Sequence, residues 1–208
     1  MDAITFFAER KTEILTKLIE HINLVGISIF ISICIGIPLG IILTRFKKLM
    51  APVINIINII QTIPSLALLG FLLPVFGIGL LPSIVALSLY SLLAIVKNTI
   101  AGIQQINPAI IEAGTGMGMT KNQILFKIEL PLAMPIIFSG IRIAAVICIG
   151  IATLCSTVGA GGLGDFIFTG ISMSSSKTIL AGAVPAALLA IITDLILLLI
   201  EKKLTYRR

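Results

Sequence analysis

The chain has 208 residues, of which 58% are hydrophobic and 12% are charged, whereas about a quarter of the residues of an ordinary soluble domain are charged. This composition excludes an ordinary water-soluble domain and predicts an all-α helical bundle that crosses a membrane several times. The formal net charge of +6 is expected from basic side chains that anchor loops at a membrane surface, and we expect no nucleic acid partner.

The first 21 residues differ from the long apolar stretches that follow them. Residues 1–21 mix both signs of charge with apolar residues at helical spacing, which predicts an amphipathic helix at the membrane interface and no cleaved signal peptide. The later stretch at residues 49–96 is too long for one crossing, and Pro74–Pro82 is its natural break. A single domain with five spans follows, at about residues 22–44, 53–73, 79–96, 132–155 and 178–200.

The distribution of basic residues predicts the orientation of these spans. Five spans put the two ends of the chain on opposite sides of the membrane. Lysine and arginine are more frequent in cytoplasmic loops, so we expect an external N-terminus, a cytoplasmic loop at about residues 97–131 and a cytoplasmic C-terminus. Ten basic residues are then inside (Arg45, Lys47, Lys48, Lys97, Lys121, Lys127, Lys202, Lys203, Arg207 and Arg208) and four outside (Arg10, Lys11, Lys17 and Lys177).

The polar loop at residues 97–131 carries the signals of two short helices. Asn107 and Pro108 are typical of an N-cap and a first helical residue, and they predict a helix over about 108–113 that ends at glycines. Thr120 and Gln123 have the spacing of a capping box, which predicts a second helix leading into the fourth span. Small residues allow a partner to approach closely. The residues alone therefore allow either a docking element or a plain amphipathic surface loop.

Within this loop, Glu-Ala at 112–113 is followed by Gly118 and by Ile-X-Leu-Pro at 128–131. This spacing resembles the signature loop of the permeases of ATP-binding-cassette importers, with Gly114 where the family more often has a second alanine. The resemblance implies a type I importer permease fold and a short helix that docks in a groove of a separate ATPase, which a bulky residue at Ala113 or Gly114 would block. The implied coupling residues are Glu112, Ala113, Gly114, Gly118, Ile128, Leu130 and Pro131.

Two further stretches, QTIPSLALLGFLLPVFGIG at 61–79 and TVGAGGLGDFIFTGI at 157–171, are similar to permeases of the osmoprotectant branch. That branch imports quaternary amines such as glycine betaine, carnitine and choline across the cell membrane. The second stretch is partly shared with methionine-type permeases, so an amino-acid importer is the alternative. The resemblance also implies three partners: a second permease subunit, identical or different, a cytoplasmic ATPase dimer that holds ATP and Mg, and an external substrate-binding protein.

Polar residues and glycines inside or beside the spans are candidates for the transport path. Gln61, Thr62, Pro64 and Ser65 lie in mid-span, where they either line a path or stabilise a kink. The pattern GAGGLG, residues 159–164, lacks the preceding strand of a dinucleotide site. We expect an outer gate or a plain turn formed by Gly159, Gly161, Gly162 and Gly164.

Charged and reactive residues inside the spans are few. Arg142 and Asp194 are expected to face protein or water, either as a structural ion pair or in gating. The spacing of Gly36 and Gly40 predicts a close helix contact. His21 is expected at the surface. The cysteines Cys34, Cys148 and Cys155 lack the spacing of a metal site and are expected to be small buried hydrophobic residues.

Two other classes of function fit the residues less well. A self-contained channel or secondary transporter would need more buried charges or an internal repeat. A membrane enzyme would need a nucleophile with a base or a metal cluster. The chain also lacks a G-x-x-x-x-G-K-[ST] phosphate loop, so we expect no cofactor on this chain and ATP hydrolysis on another subunit.

Overall fold

The computed structural model describes residue 7 and residues 9–206. These residues form helices joined by turns. In chain order they are α1 (Lys11–Arg45), α2 (Lys47–Thr62), α3 (Ser65–Phe76), α4 (Leu80–Gln104), α5 (Pro108–Gly116), α6 (Lys121–Ile124), a π-helix (Leu125–Glu129), α7 (Leu130–Ala152), a 3-10 helix (Leu154–Val158), α8 (Gly164–Ser172) and α9 (Ser176–Tyr206).

Four helical segments of the described residues are long and apolar enough to cross a membrane. Helices α2 and α3 pass the same test only as a pair, and they are bent by 98° at the break between them. The bundle therefore has four spans, or five if the bent pair counts as one. The all-α, multi-span fold predicted from the composition is confirmed. The four segments are Lys11–Arg45, Leu80–Gln104, Lys121–Ala152 and Ser176–Leu204.

The first span is longer than predicted, because residues 11–21 are not a separate interfacial helix. They continue without a break into the rest of α1, a helix of 35 residues. No glycine or proline occurs between Lys11 and Val25, so no residue there disfavours the helix strongly. Residues 1–6 and 8 of the predicted interfacial helix lie outside the described residues.

The second predicted span, at residues 53–73, is broken into α2 and α3. Ile63 is extended, with φ −68° and ψ 126°, and the ring of Pro64 favours this conformation because it disfavours the helical one for the residue before it. The other predicted spans correspond to helices with shifted ends. Helix α4 ends at 104 rather than 96, α7 runs over 130–152 rather than 132–155, and α9 runs over 176–206 rather than 178–200.

Helix α4 occupies the centre of the bundle, where it packs against both α1 and α7. Glycines bring α1 and α4 together: a Cβ atom at Gly40 would lie 2.6 Å from Thr99 Cβ, and one at Gly36 would lie 2.9 Å from Ile95 Cγ2. The close contact predicted from the spacing of these glycines is therefore confirmed. Because lipid is as apolar as the helices, such fit between surfaces is what holds spans together.

The outward faces of the bundle are apolar in this isolated chain. On α9, Leu188, Ile192 and Leu199 are all at least half exposed. Cys148 and Cys155 are buried as predicted, but Cys34 is exposed, so the prediction is wrong for that residue. These exposed faces of the spans are left for lipid or for another subunit.

Candidate functional site

The polar loop between α4 and α7 forms its two short helices with the capping residues that the sequence predicts. Asn107 caps α5, and its Oδ1 accepts a hydrogen bond from the N–H of Ala109 at 3.0 Å. Thr120 and Gln123 form a capping box at the start of α6, each side chain bonded to the other residue's backbone N–H. These caps hold the loop in a defined shape.

Helix α5 runs to Gly116 rather than ending near residue 113, because Gly118 is the glycine of this segment that adopts a left-handed backbone, with φ +79°. Gly114 is buried on the inner side of the helix. A Cβ atom there would lie 2.8 Å from Ile128 Cδ1 and 3.4 Å from Met119 Sδ. The expectation that Gly114 belongs to a surface presented to a partner is therefore wrong; this glycine packs α5 onto the segment that leads into α7.

The remaining coupling residues implied by the resemblance fall into two groups. Glu112, Ala113 and Gly118 are exposed, and we call them the outer face of the loop. Ile128 and Leu130 are partly buried between the loop and the bundle. Pro131 is exposed in the first turn of α7, directly after the π-helix, where the N–H that proline lacks cannot bond to the preceding helical turn.

A buried carboxylate lies where the loop joins α7. Glu129 is 4% exposed and is the last residue of the π-helix. Arg45, the last residue of α1, binds it through both ends of the guanidinium: Nη1 donates to Oε1 at 3.1 Å, and Nη2 donates to Oε2. Sequence patterns do not reveal this pair. Glu129 occupies the variable position of Ile-X-Leu-Pro, and Arg45 has the features of an ordinary membrane-surface anchor.

Arg142 of α7 faces two carboxylates of α9. Its Nε lies 3.6 Å from Asp194 Oδ1 and 3.5 Å from Glu201 Oε2. Asp194 is the partner that the sequence predicts. Glu201 is a second one that it missed, although two residues seven apart lie close to one face of a helix. The side chain of Arg142 is 23% exposed and that of Asp194 is 44% exposed, so this cluster lies at the side of the bundle.

The polar residues at the break between α2 and α3 bond to backbone carbonyls. Gln61 Nε2 donates to the carbonyl of Tyr90 at 2.7 Å, and Thr62 Oγ1 donates to the carbonyl of Ile59 at 2.7 Å. The hydroxyl of Tyr90 in turn donates to the carbonyl of Ile63. Pro64 precedes α3, and Ser65 is its first residue. The break is thus fixed to α4, and Tyr90 is a residue that the sequence analysis missed there.

The glycine-rich segment at residues 159–164 forms a turn, which we call the glycine turn. Gly159, Gly161 and Gly162 have φ values of +80°, +75° and +83°, a backbone that residues with a Cβ rarely adopt. Gly164 is buried at the start of α8. A helix rather than a strand precedes the turn, so the segment lacks the setting of a dinucleotide loop.

Charged residues tie the glycine turn to α1. Glu20 Oε2 accepts from the N–H of Gly162 at 2.9 Å. Lys17 Nζ lies 2.9 Å from Glu20 Oε2 and 2.7 Å from Asp165 Oδ2, so it bridges α1 and α8. These contacts join parts of the chain that are more than 140 residues apart, and no local pattern indicates them.

The prediction that His21 lies at the surface is wrong. It is fully buried, because the glycine turn covers it: a Cβ atom at Gly162 would lie 3.1 Å from His21 Nδ1. Its Nε2 lies 3.2 Å from the carbonyl oxygen of Ile149 in α7. His21 therefore belongs to the packing under the turn.

The fold and the loop agree with a comparison with known protein families. The family described as "Binding-protein-dependent transport system inner membrane component" matches residues 36–206. The chain belongs to this family. It is therefore a permease component of a transport system, and the family implies an ATPase, a substrate-binding protein and a membrane around it.

Individual relatives match this permease over nearly its whole length. It is 45% identical over 202 residues to the choline transport system permease protein OpuBB of Bacillus subtilis (strain 168), which covers 97% of this chain and 93% of that protein. It is 40% identical over 210 residues to the osmoprotectant import permease protein OsmW of Salmonella typhimurium, and the match covers 99% of this chain and 98% of that protein.

A solved structure matches the fold of this permease. The inward-facing MetNI methionine ABC transporter gives a TM-score of 0.84 at 26% identity, over 92% of this chain and 95% of that chain. The type I importer permease fold implied by the loop resemblance is confirmed.

Proposed function

We propose that this chain is the permease subunit of an ATP-driven importer that moves a quaternary-amine osmoprotectant, such as glycine betaine, carnitine or choline, across the cell membrane. The identity of 40–45% to permeases named for choline and osmoprotectant import, over nearly the whole chain, carries this proposal. The stretches at residues 61–79 and 157–171 support the same branch.

The loop supports coupling to a separate ATPase subunit that holds ATP and Mg. Its outer face is exposed, while Gly114 packs α5 against Ile128 on the inner side. Such a helix can transmit displacement to the bundle, because close-packed contacts move together and pass on strain. From the distribution of basic residues we infer that the loop and the C-terminus are cytoplasmic and that the N-terminus is external.

A second permease subunit, identical or different, completes the transport path in this proposal, and the apolar outward faces of the spans support it. An external binding protein selects the amine. Quaternary ammonium groups are recognised by aromatic faces, with tryptophan the best partner, and this chain has no tryptophan, two tyrosines and ten phenylalanines. Because the binding protein captures the solute first, selection of the substrate is expected mainly there.

Within this chain, we assign the path to the break between α2 and α3, where Gln61, Thr62, Pro64 and Ser65 surround backbone that is not helical. Broken helices of this type line substrate paths in other transporters. We assign the external gate to the glycine turn, since its backbone is built on glycines with positive φ and charged contacts tie it to α1. Arg142 and Asp194 have the structural role of holding α7 against α9.

A methionine-type amino-acid importer is the second candidate, because the MetNI transporter has the same fold at 26% identity. The chain's identity to osmoprotectant permeases is higher, so we favour the quaternary amines.

Purification and uptake together test the proposed function. The permease should bring down an ATP-binding-cassette ATPase from membranes solubilised in mild detergent. Proteoliposomes that contain the complex and its binding protein should take up labelled glycine betaine, carnitine or choline when ATP is supplied on the loop side. Uptake of methionine alone would establish the second candidate. Uptake of an amine without any ATPase would contradict the proposal.

A further inference from the structure

We propose that the ion pair of Arg45 and Glu129 is the connection through which displacement of the loop reaches the first span, so that both are positioning residues for transport. The inference rests on the proposed function, because it needs an ATPase that moves the loop.

On the loop side, the contacts lead directly to Glu129. The backbone of Gly114 packs so closely on Ile128 that an added Cβ would lie 2.8 Å from its Cδ1. Ile128 directly precedes Glu129 in the π-helix. A force applied to the outer face of α5 therefore bears on the turn that holds the Glu129 carboxylate. Such π-helical turns within α-helices are rare and occur often at functional sites.

On the span side, the pair joins the end of a long helix. Arg45 is the last residue of α1. Earlier in the same helix, Gly40 lies against Thr99 of α4 and Gly36 lies against Ile95. The two chain segments that the pair joins are 84 residues apart in sequence. Because the glycine contacts leave no space between α1 and α4, a displacement at Arg45 is carried into the centre of the bundle.

The chemistry of this ion pair favours a contact that does not break when the loop moves. The side chain of Glu129 is 6% exposed and that of Arg45 is 46% exposed, so the arginine reaches inward to a buried carboxylate. A guanidinium that binds both carboxylate oxygens fixes orientation as well as distance. Release would leave a charged carboxylate buried and unpaired, which is strongly unfavourable. The pair is therefore expected to persist while the loop moves.

The test uses the complete complex of permease, ATPase and binding protein in proteoliposomes, and it measures uptake per ATP hydrolysed. Glu129→Gln removes the charge at nearly constant shape, and Arg45→Lys keeps the charge but loses the two-point contact. The exchange Arg45→Glu with Glu129→Arg restores opposite charges. Lys48→Gln is the matched control, because Lys48 is an exposed basic residue three positions from Arg45.

We expect Glu129→Gln and Arg45→Lys to lower uptake per ATP by about tenfold, within the usual range of coupling between sites, with normal ATPase recovery and melting temperature. The charge exchange should recover at least part of the loss, and Lys48→Gln should leave the ratio unchanged. An unchanged ratio in both single variants, or a charge exchange no better than either of them, would overturn the inference. If Glu129→Gln does not fold, the uptake per ATP of Arg45→Lys is sufficient to test the inference. A wild-type complex without ATP-driven uptake would overturn the proposed function and this inference together.

Discussion

Replacement of Gly114 by tryptophan should detach α5 from the segment that leads into α7. A Cβ atom at this position lies 2.8 Å from Ile128 Cδ1, 3.4 Å from Met119 Sδ and 3.7 Å from Ile124 Cγ1, so the indole ring has no room on the inner side of the helix. Overpacking of this kind costs about 1–3 kcal/mol. Since about 1.4 kcal/mol is a factor of ten in an equilibrium, the packed loop should lose about 5- to 140-fold in population.

Two matched variants separate packing inside the loop from docking outside it. Gly114→Ala adds one methyl group that meets the flexible end of Ile128, and alanine is favoured over glycine in a helix by roughly 0.8–1 kcal/mol, so packing should stay near that of the wild type. Ala113→Trp places the same indole on the exposed outer face. It should leave the packing intact and reduce recovery of the ATPase.

Hydrogen exchange of the amides at residues 108–118 measures the packing, and pull-down of the ATPase measures docking. Exchange should rise in Gly114→Trp and stay near the wild-type rate in Gly114→Ala and Ala113→Trp, whereas both tryptophan variants should recover less ATPase. Unchanged exchange in Gly114→Trp, or an equal rise in Ala113→Trp, would refute the assignment of Gly114 to the inner side of the loop.

Three further predictions follow from the contacts and the charge distribution. Arg142→Met should lower the melting temperature in detergent by several degrees, because it removes the guanidinium that faces Asp194 and Glu201. The cost should stay below the roughly 3–5 kcal/mol of a fully buried pair, and an unchanged melting temperature would contradict the cluster. Tyr90→Phe should cost about 1–3 kcal/mol of stability, because it leaves the carbonyl of Ile63 without its donor. A denaturation midpoint equal to that of the wild type would count against this contact. In intact cells, an impermeant thiol reagent should label a single cysteine introduced at residue 3 and not one at residue 206, and the reverse pattern would show that the inferred orientation is wrong.

Sequence patterns were sufficient to predict a structural feature wherever the physical cause of that feature is local. Charge-free stretches of about 20 residues predict spans, because the bilayer imposes that length on any helix that crosses it. Asn107 and Thr120 predict helix starts because a cap bonds to N–H groups two or three residues away. Pro64 indicates the break in the second span, since its ring acts on the residue before it. The spacing from residue 112 to 131 also led to the family, because the loop is one continuous segment.

The tertiary structure alone decided which faces meet. Neither Arg45 nor Glu129 has a neighbour in sequence that indicates its partner, and they lie together only because α1 ends beside the turn that leads into α7. The side of α5 that Gly114 occupies depends on how that helix folds back onto Ile128. The burial of His21 likewise depends on a glycine turn more than 130 residues later in the chain. Hydropathy measures how apolar a segment is, and in a bundle surrounded by lipid an apolar side chain is equally compatible with the core, the lipid and another subunit. The pairing of faces is therefore set by close packing and ion pairs between distant segments.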